Sequence, residues 1–121
     1  MLNLTVAESR RALHGSVPES EWESTIEEAL KVTGHVFVHF RPAMVKGGWR
    51  TALSGDPGFP DVVAIGVDGL QKVAELKTLR GKVTPEQQVW LDRFKLAGAL
   101  VVVLRPGQHV ELAAFVGARI C

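Results

Sequence analysis

Two apolar runs of strand length, Asp61-Val-Val-Ala-Ile-Gly-Val67 and Gln71-Lys-Val-Ala-Glu-Leu-Lys-Thr78, flank the dipeptide Asp68-Gly69. Asp-Gly between two β-like runs is a strong local signal for a hairpin turn. Side chains alternate across a strand, so Glu75 and Lys77 project from one face and Leu76 from the other. Closing the hairpin brings Asp61 towards Glu75 and Lys77 on that face. Any fold of this chain must accommodate two carboxylates and an ammonium converging beside an apolar sheet.

The remaining elements follow from punctuation and periodicity. A helix is predicted from near Pro18 to about Thr33, with Gly34 as its stop. Its apolar face is Trp22, Ile26, Ala29 and Leu30, bordered by Glu19 and Glu23, while Glu21 and Glu28 fall on the solvent side. A short helix is also predicted over 5–13. Residues 35–41 alternate as a strand, with Val36, Val38 and Phe40 on one face and His35, Phe37, His39 and Arg41 on the other. Residues 42–60, with four glycines and three prolines, are expected to be a long loop of functional character. Thr84-Pro85 marks a helix start; the helix runs to Ala97-Gly98 with Leu91 and Phe94 inward and Trp90 close by. Gln87 shares that inward face, whereas Gln88 lies with Asp92 and Lys95 towards solvent. Residues 99–104 are wholly apolar and are expected to form a strand buried on both faces. A short closing helix is expected over 110–117.

The order is α, β, β, β, α, β with a terminal helix. Strand–helix–strand from 71 to 104 implies a crossover and a parallel pair. The predicted class is therefore mixed α/β, a central mixed sheet flanked by helices. The 121-residue length fits one domain, 1–121.

Composition limits function more than it defines it. The formal net charge of +1 does not announce a nucleic-acid partner, but the charge is unevenly placed. Arg41, Lys46 and Arg50 form one basic stretch without acidic residues, and Lys77, Arg80 and Lys82 form another. Basic patches beside a carboxylate pair suit a phosphate backbone, although a solvated surface would look the same by charge alone. The single cysteine, Cys121, excludes an internal disulfide and a cysteine-rich zinc site. No apolar run is long enough to span a membrane, and the N-terminus lacks the pattern of a secretion signal, so a cytoplasmic location is expected. The four histidines have no metal-ligand spacing, and no P-loop, dinucleotide or G-x-S-x-G motif is present. Two carboxylates suit Mg²⁺, a small hard cation that keeps several of its waters. Lys77 beside such a metal would orient a water or stabilise charge on a phosphorus centre.

Pro60-Asp61, Glu75-Leu76-Lys77, Thr84-Pro85-Glu86-Gln87, Trp90-Leu91 and Gly98, together with His39-Phe40-Arg41-Pro42 and Gly58-Phe59, closely resemble the VRR-NUC branch of the PD-(D/E)XK nuclease superfamily. The chain looks most like its short standalone phage and bacterial members, over roughly residues 17–107. The resemblance implies a restriction-endonuclease-like αβββαβ core and Mg²⁺- or Mn²⁺-dependent phosphodiester hydrolysis in a bacterial or phage-infected cell. It implies Asp61, Glu75 and the Leu76 carbonyl as metal ligands, Lys77 as the catalytic lysine and Gln87 as a support. Glu19 matches the family's first-helix glutamate and is a further candidate ligand; Glu23 stands where relatives often carry glutamine. Arg41, Lys46, Arg50, Arg80 and Lys82 are the expected DNA-backbone contacts. Small members resemble Holliday-junction resolvases, which implies branched DNA as substrate and a homodimer. A nuclease for flaps or linear ends, and a non-catalytic DNA-binding module of the same fold, are the alternatives.

Overall fold

Trp22, Ile26 and Leu30 recur on one stripe of the first helix, α1 (Glu19–Val32), and all three are buried. Burying each such side chain contributes about 1.5–3 kcal/mol, so this stripe fixes how the helix lies on its sheet. The structure is a computed structural model that describes residues 18–40, 43–45, 48–50 and 54–117, the segments 43–45 and 48–50 by backbone alone. The helix predicted over 5–13 lies outside the described residues.

After α1 come β1 (Val36–His39), β2 (Ala43–Val45), β3 (Gly48–Arg50), β4 (Val62–Ile65) and β5 (Gln71–Leu76). Helix α2 (Pro85–Leu96), strand β6 (Leu100–Leu104) and helix α3 (His109–Val116) complete the order. Four strands make the main sheet in the order β1-β4-β5-β6. The first two pairings are antiparallel and β5–β6 is parallel, with α2 as the crossover. This is the mixed α/β architecture expected from the sequence.

Alternation along the strands gives the sheet two different faces. Val62, Ala64, Ala74 and Leu104 pack with Trp22, Ile26 and Leu30 of α1 and with Leu112, Phe115 and Val116 of α3. Val73 lies on the opposite face with Leu91 of α2 and Ala99, joined by Val63, Phe94, Val101 and Val103. Glu75 shares the parity of Val73, so the α2 side of the sheet is where its side chain projects.

Three expectations need correction. Strand β6 is an edge strand with only Leu104 fully buried; β5 is the strand enclosed on both faces. An apolar run reports burial somewhere but not sheet order, and among the described residues β6 pairs only with β5. Residues 42–60 are not all loop, since β2 and β3 pair as a small antiparallel ladder, Ala43 with Arg50 and Val45 with Gly48. The strands are also shorter than read: β1 spans 36–39, β4 62–65 and β5 71–76, because ladder pairing ends before the apolar pattern does. Among the described residues, no helix is long and apolar enough to cross a membrane.

Gly58 fixes the approach of the 54–60 segment to α2. Its φ is +93°, and an added Cβ would lie 2.6–2.8 Å from backbone atoms of Glu86 and Gln87. Gly69, in the β4–β5 turn, has φ +80° but open space around it. Gly69→Ala should therefore cost about 1 kcal/mol for the left-handed backbone alone. Gly58→Ala should cost about 2–4 kcal/mol, because backbone must also move. Urea denaturation of the two variants checks this order; equal losses would contradict it.

Candidate active site

The β4–β5 register pairs Val62 with Ala74. One step beyond that ladder, Asp61 stands opposite Glu75. The Phe40 N–H donates to the Asp61 carbonyl at 2.7 Å, which ties Asp61 to the end of β1. On its other side, Asp61 Oδ2 accepts the Leu76 N–H at 2.7 Å. Asp61 is therefore held by both neighbouring strands.

Glu75 is 2 % exposed. Gln87 Nε2 of α2 donates to Glu75 Oε1 at 3.0 Å, and Lys77 Nζ stands 3.7 Å from the same oxygen. The second oxygen, Oε2, is buried without a hydrogen-bond partner. Burial first, then the hydrogen bond and negative charge of the Asp61 carboxyl, push the Glu75 acid up to about 8. The Lys77 ammonium and the Asp61 backbone amide act the other way without cancelling them. A site that raises a carboxylate so far is short of positive charge.

Two opposed carboxylates, one with an orphaned buried oxygen, fit a hard divalent cation such as Mg²⁺ or Mn²⁺. Among the described residues, no group of three or more His, Cys, Asp or Glu side chains is placed to hold a metal. The fit is thus of the kind in which one or two carboxylates bind and waters complete the shell.

The N-terminus of α2 performs two tasks through one side chain. Thr84 Oγ1 accepts the Gln87 N–H at 3.2 Å, and the Thr84 N–H donates to Gln87 Oε1 at 2.9 Å, a reciprocal capping box. With Oε1 engaged by a donor, the Gln87 amide has its Nε2 directed at Glu75. Gln87 thus caps the helix and hydrogen-bonds Glu75 with one side chain. The segment before Asp61 is strapped to the same helix. Trp90 Nε1 donates to the Pro57 carbonyl at 3.0 Å, and Phe59 makes edge contacts with Phe40, Trp90 and Phe94 at 5.0–6.0 Å between ring centroids.

The other expected residues are dispersed. Glu19 is exposed in the first turn of α1, whereas Glu23 is half-buried, and neither joins Asp61 and Glu75 in a group of three. His39 packs against α1, with Nδ1 3.9 Å from Glu27 Oε1. Arg80 and Lys82 are exposed on the turn after β5. Arg41 and Lys46 lie outside the described residues, and Arg50 is described only as backbone in β3. Two contributors escaped the sequence reading. The Trp90–Pro57 strap had a faint signal in the lone tryptophan of an inward helix face. Arg105, which hydrogen-bonds the carbonyls of Thr78 and Gly81 at 2.6 and 2.7 Å, had only its place after an apolar strand.

The folded state holds the Glu75 proton more tightly than the unfolded chain, whose glutamate titrates near 4.5. Without divalent metal, this residue's contribution to stability therefore falls as pH rises from about 4.5 to about 8 and then levels off. Glu75→Gln should stabilise the metal-free protein by about 1–3 kcal/mol at pH 8 and leave it almost unchanged at pH 4.5. Thermal melts at the two pH values measure the difference; destabilisation at pH 8 would contradict it.

A search of curated proteins finds no match. A solved structure described as a VRR_NUC domain is similar with a TM-score of 0.56 at 24% identity, over 79% of this chain and 92% of that one. The likeness is one of fold. The model of the VRR-NUC domain family matches residues 5–106, a span that contains Asp61, Glu75, Lys77 and Gln87. The chain belongs to the VRR-NUC domain family.

Proposed function

We infer that the protein is a divalent-metal-dependent endonuclease that hydrolyses DNA phosphodiester bonds. Family membership makes it a nuclease-type domain that processes DNA. The observation that carries the finer reading is the half-buried Asp61 opposite the buried Glu75, with Lys77 Nζ 3.7 Å from Glu75. The Asp61 and Glu75 carboxylates and the Leu76 carbonyl would hold Mg²⁺ or Mn²⁺, which acidifies a bound water and neutralises charge on the phosphate. Glu19, exposed in the first turn of α1, is a further candidate ligand.

The chain's own groups do the rest. Lys77 offers a positive charge beside the carboxylates, where it orients the attacking water or stabilises the phosphorane-like transition state. Gln87 keeps Glu75 in one rotamer and its lone pairs in one direction, so the carboxylate enters the reaction already placed. Arg80 and Lys82, with Arg41, Lys46 and Arg50, contact backbone phosphates and carry no base readout. Cleavage leaves 5′-phosphate ends. The preferred substrate is branched DNA such as a four-way junction, cut in the cytoplasm by a homodimer whose two sites act on two strands. The non-catalytic reading is disfavoured by Asp61, Glu75 and Lys77, which a degenerate relative has no reason to retain together.

Cleavage should require Mg²⁺ or Mn²⁺ and stop with chelator. Glu75→Ala and Lys77→Ala, folded by circular dichroism, should each lose about 10³-fold or more in rate. Gln87→Ala should lose about 10- to 100-fold, because its target remains but is no longer fixed. A panel of linear, flap, nicked and four-way substrates, run beside size measurement in solution, tests the substrate and the assembly. Fastest cutting of the four-way junction by a dimer is expected. Preferential cutting of flaps or ends would favour the alternative substrate, and robust activity of Lys77→Ala would overturn the mechanism.

A further inference from the structure

The turn after β5 carries two of the proposed phosphate contacts and is held by a residue on another strand. Lys77 N–H donates to the Leu104 carbonyl at 3.0 Å, which extends the parallel β5–β6 pairing to the catalytic lysine and sets Arg105 beside the turn. Arg105 Nη1 then donates to two carbonyls, Thr78 at 2.6 Å and Gly81 at 2.7 Å. Its own backbone is braced: the Arg105 N–H donates to Gln108 Oε1 at 2.8 Å, and the Gln108 N–H returns to the Arg105 carbonyl at 3.1 Å. Within the turn, the Gly81 N–H donates to Thr78 Oγ1 at 2.9 Å and to the Thr78 carbonyl at 3.3 Å. Charge-assisted bonds of this length are roughly twice as strong as neutral ones.

The electrostatic result bears on phosphate binding. Both carbonyls at the ends of the turn point at a guanidinium, so their negative ends are withdrawn from any anion outside. Every peptide bond described is trans, which turns the N–H groups of Leu79 and Lys82 away from Arg105. The exposed side chains between and beyond them, Arg80 and Lys82, are cationic. Without Arg105 the Thr78 carbonyl would keep the Gly81 N–H, but the Gly81 carbonyl would sample outward conformers, and the turn would lose ordering entropy when a phosphate bound.

We propose that Arg105 is a positioning residue for DNA: it pre-forms the 78–82 turn so that Arg80 and Lys82 meet a backbone phosphate next to Lys77. The proposal rests on the nuclease reading and adds a residue that acts through others. It separates binding from chemistry, because Lys77 is independently held by the Leu104 carbonyl.

The test is a double-mutant cycle on the full chain between Arg105→Met and the pair Arg80→Ala/Lys82→Ala, with Mn²⁺-dependent cleavage and limited trypsin digestion as readouts. Arg105→Met should raise KM about tenfold with kcat within about threefold, and should speed trypsin cleavage after Arg80 and Lys82 several-fold. In the Arg80→Ala/Lys82→Ala background the KM effect should largely vanish, as coupling through those residues requires. Arg105→Lys, which keeps the charge and part of the bonding, should fall between the two and serves where Arg105→Met unfolds. Additive KM effects, a change in kcat alone, or unaltered proteolysis would each overturn the proposal. An inactive wild type would defeat the nuclease reading and the DNA role of the turn together; the trypsin arm would still show whether Arg105 holds it.

Discussion

The fold places a carboxylate where a carboxylate is costly. Glu75 sits on the strand enclosed by both layers, opposite Asp61, with one buried oxygen that completes no hydrogen bond. The hairpin register makes the two acids neighbours, and α2 removes water from one of them. Every other feature of the site answers that arrangement: Lys77 supplies charge from the same strand face, and Gln87 supplies a donor from the covering helix. The unmet demand that remains is for a cation, which is the property a metal-dependent hydrolase needs.

Rigidity around this pair comes from bonds that also build the helix and the sheet. The Gln87 amide closes the capping box and touches Glu75 at once, so the first turn of α2 cannot fray without releasing the acid. Asp61 is fixed between β1 and β5 by backbone groups, and the preceding segment is held to α2 by Gly58, Phe59 and Trp90. Preorganisation is thus obtained from secondary-structure bonds instead of from a separate shell of polar side chains.

Much of this was legible in the sequence because it is local. Asp68-Gly69 fixes the turn, strand parity puts Glu75 and Lys77 on one side, and Thr84-Pro85 starts α2 with Gln87 inward. What was not legible depends on how elements dock. The apolar run of β6 gives no sign that the strand is a border of the sheet. Glu19 falls near the inward side of α1 by azimuth, yet burial on that helix begins only at Trp22, and a helical wheel says nothing about where along the axis packing starts. The bonds of Arg105 reach partners 27 and 24 residues away, a contact that only the parallel β5–β6 register creates. Residues 42–60 hid a short ladder because glycine and proline dominate their composition.

The central claim is that Asp61 and Glu75 form one metal centre. Anomalous X-ray diffraction from a crystal of the protein grown with Mn²⁺ tests it most directly. A manganese peak within bonding distance of oxygens from both Asp61 and Glu75 is the predicted result. A map with no peak between these two residues, or with manganese bound only elsewhere, would contradict the account.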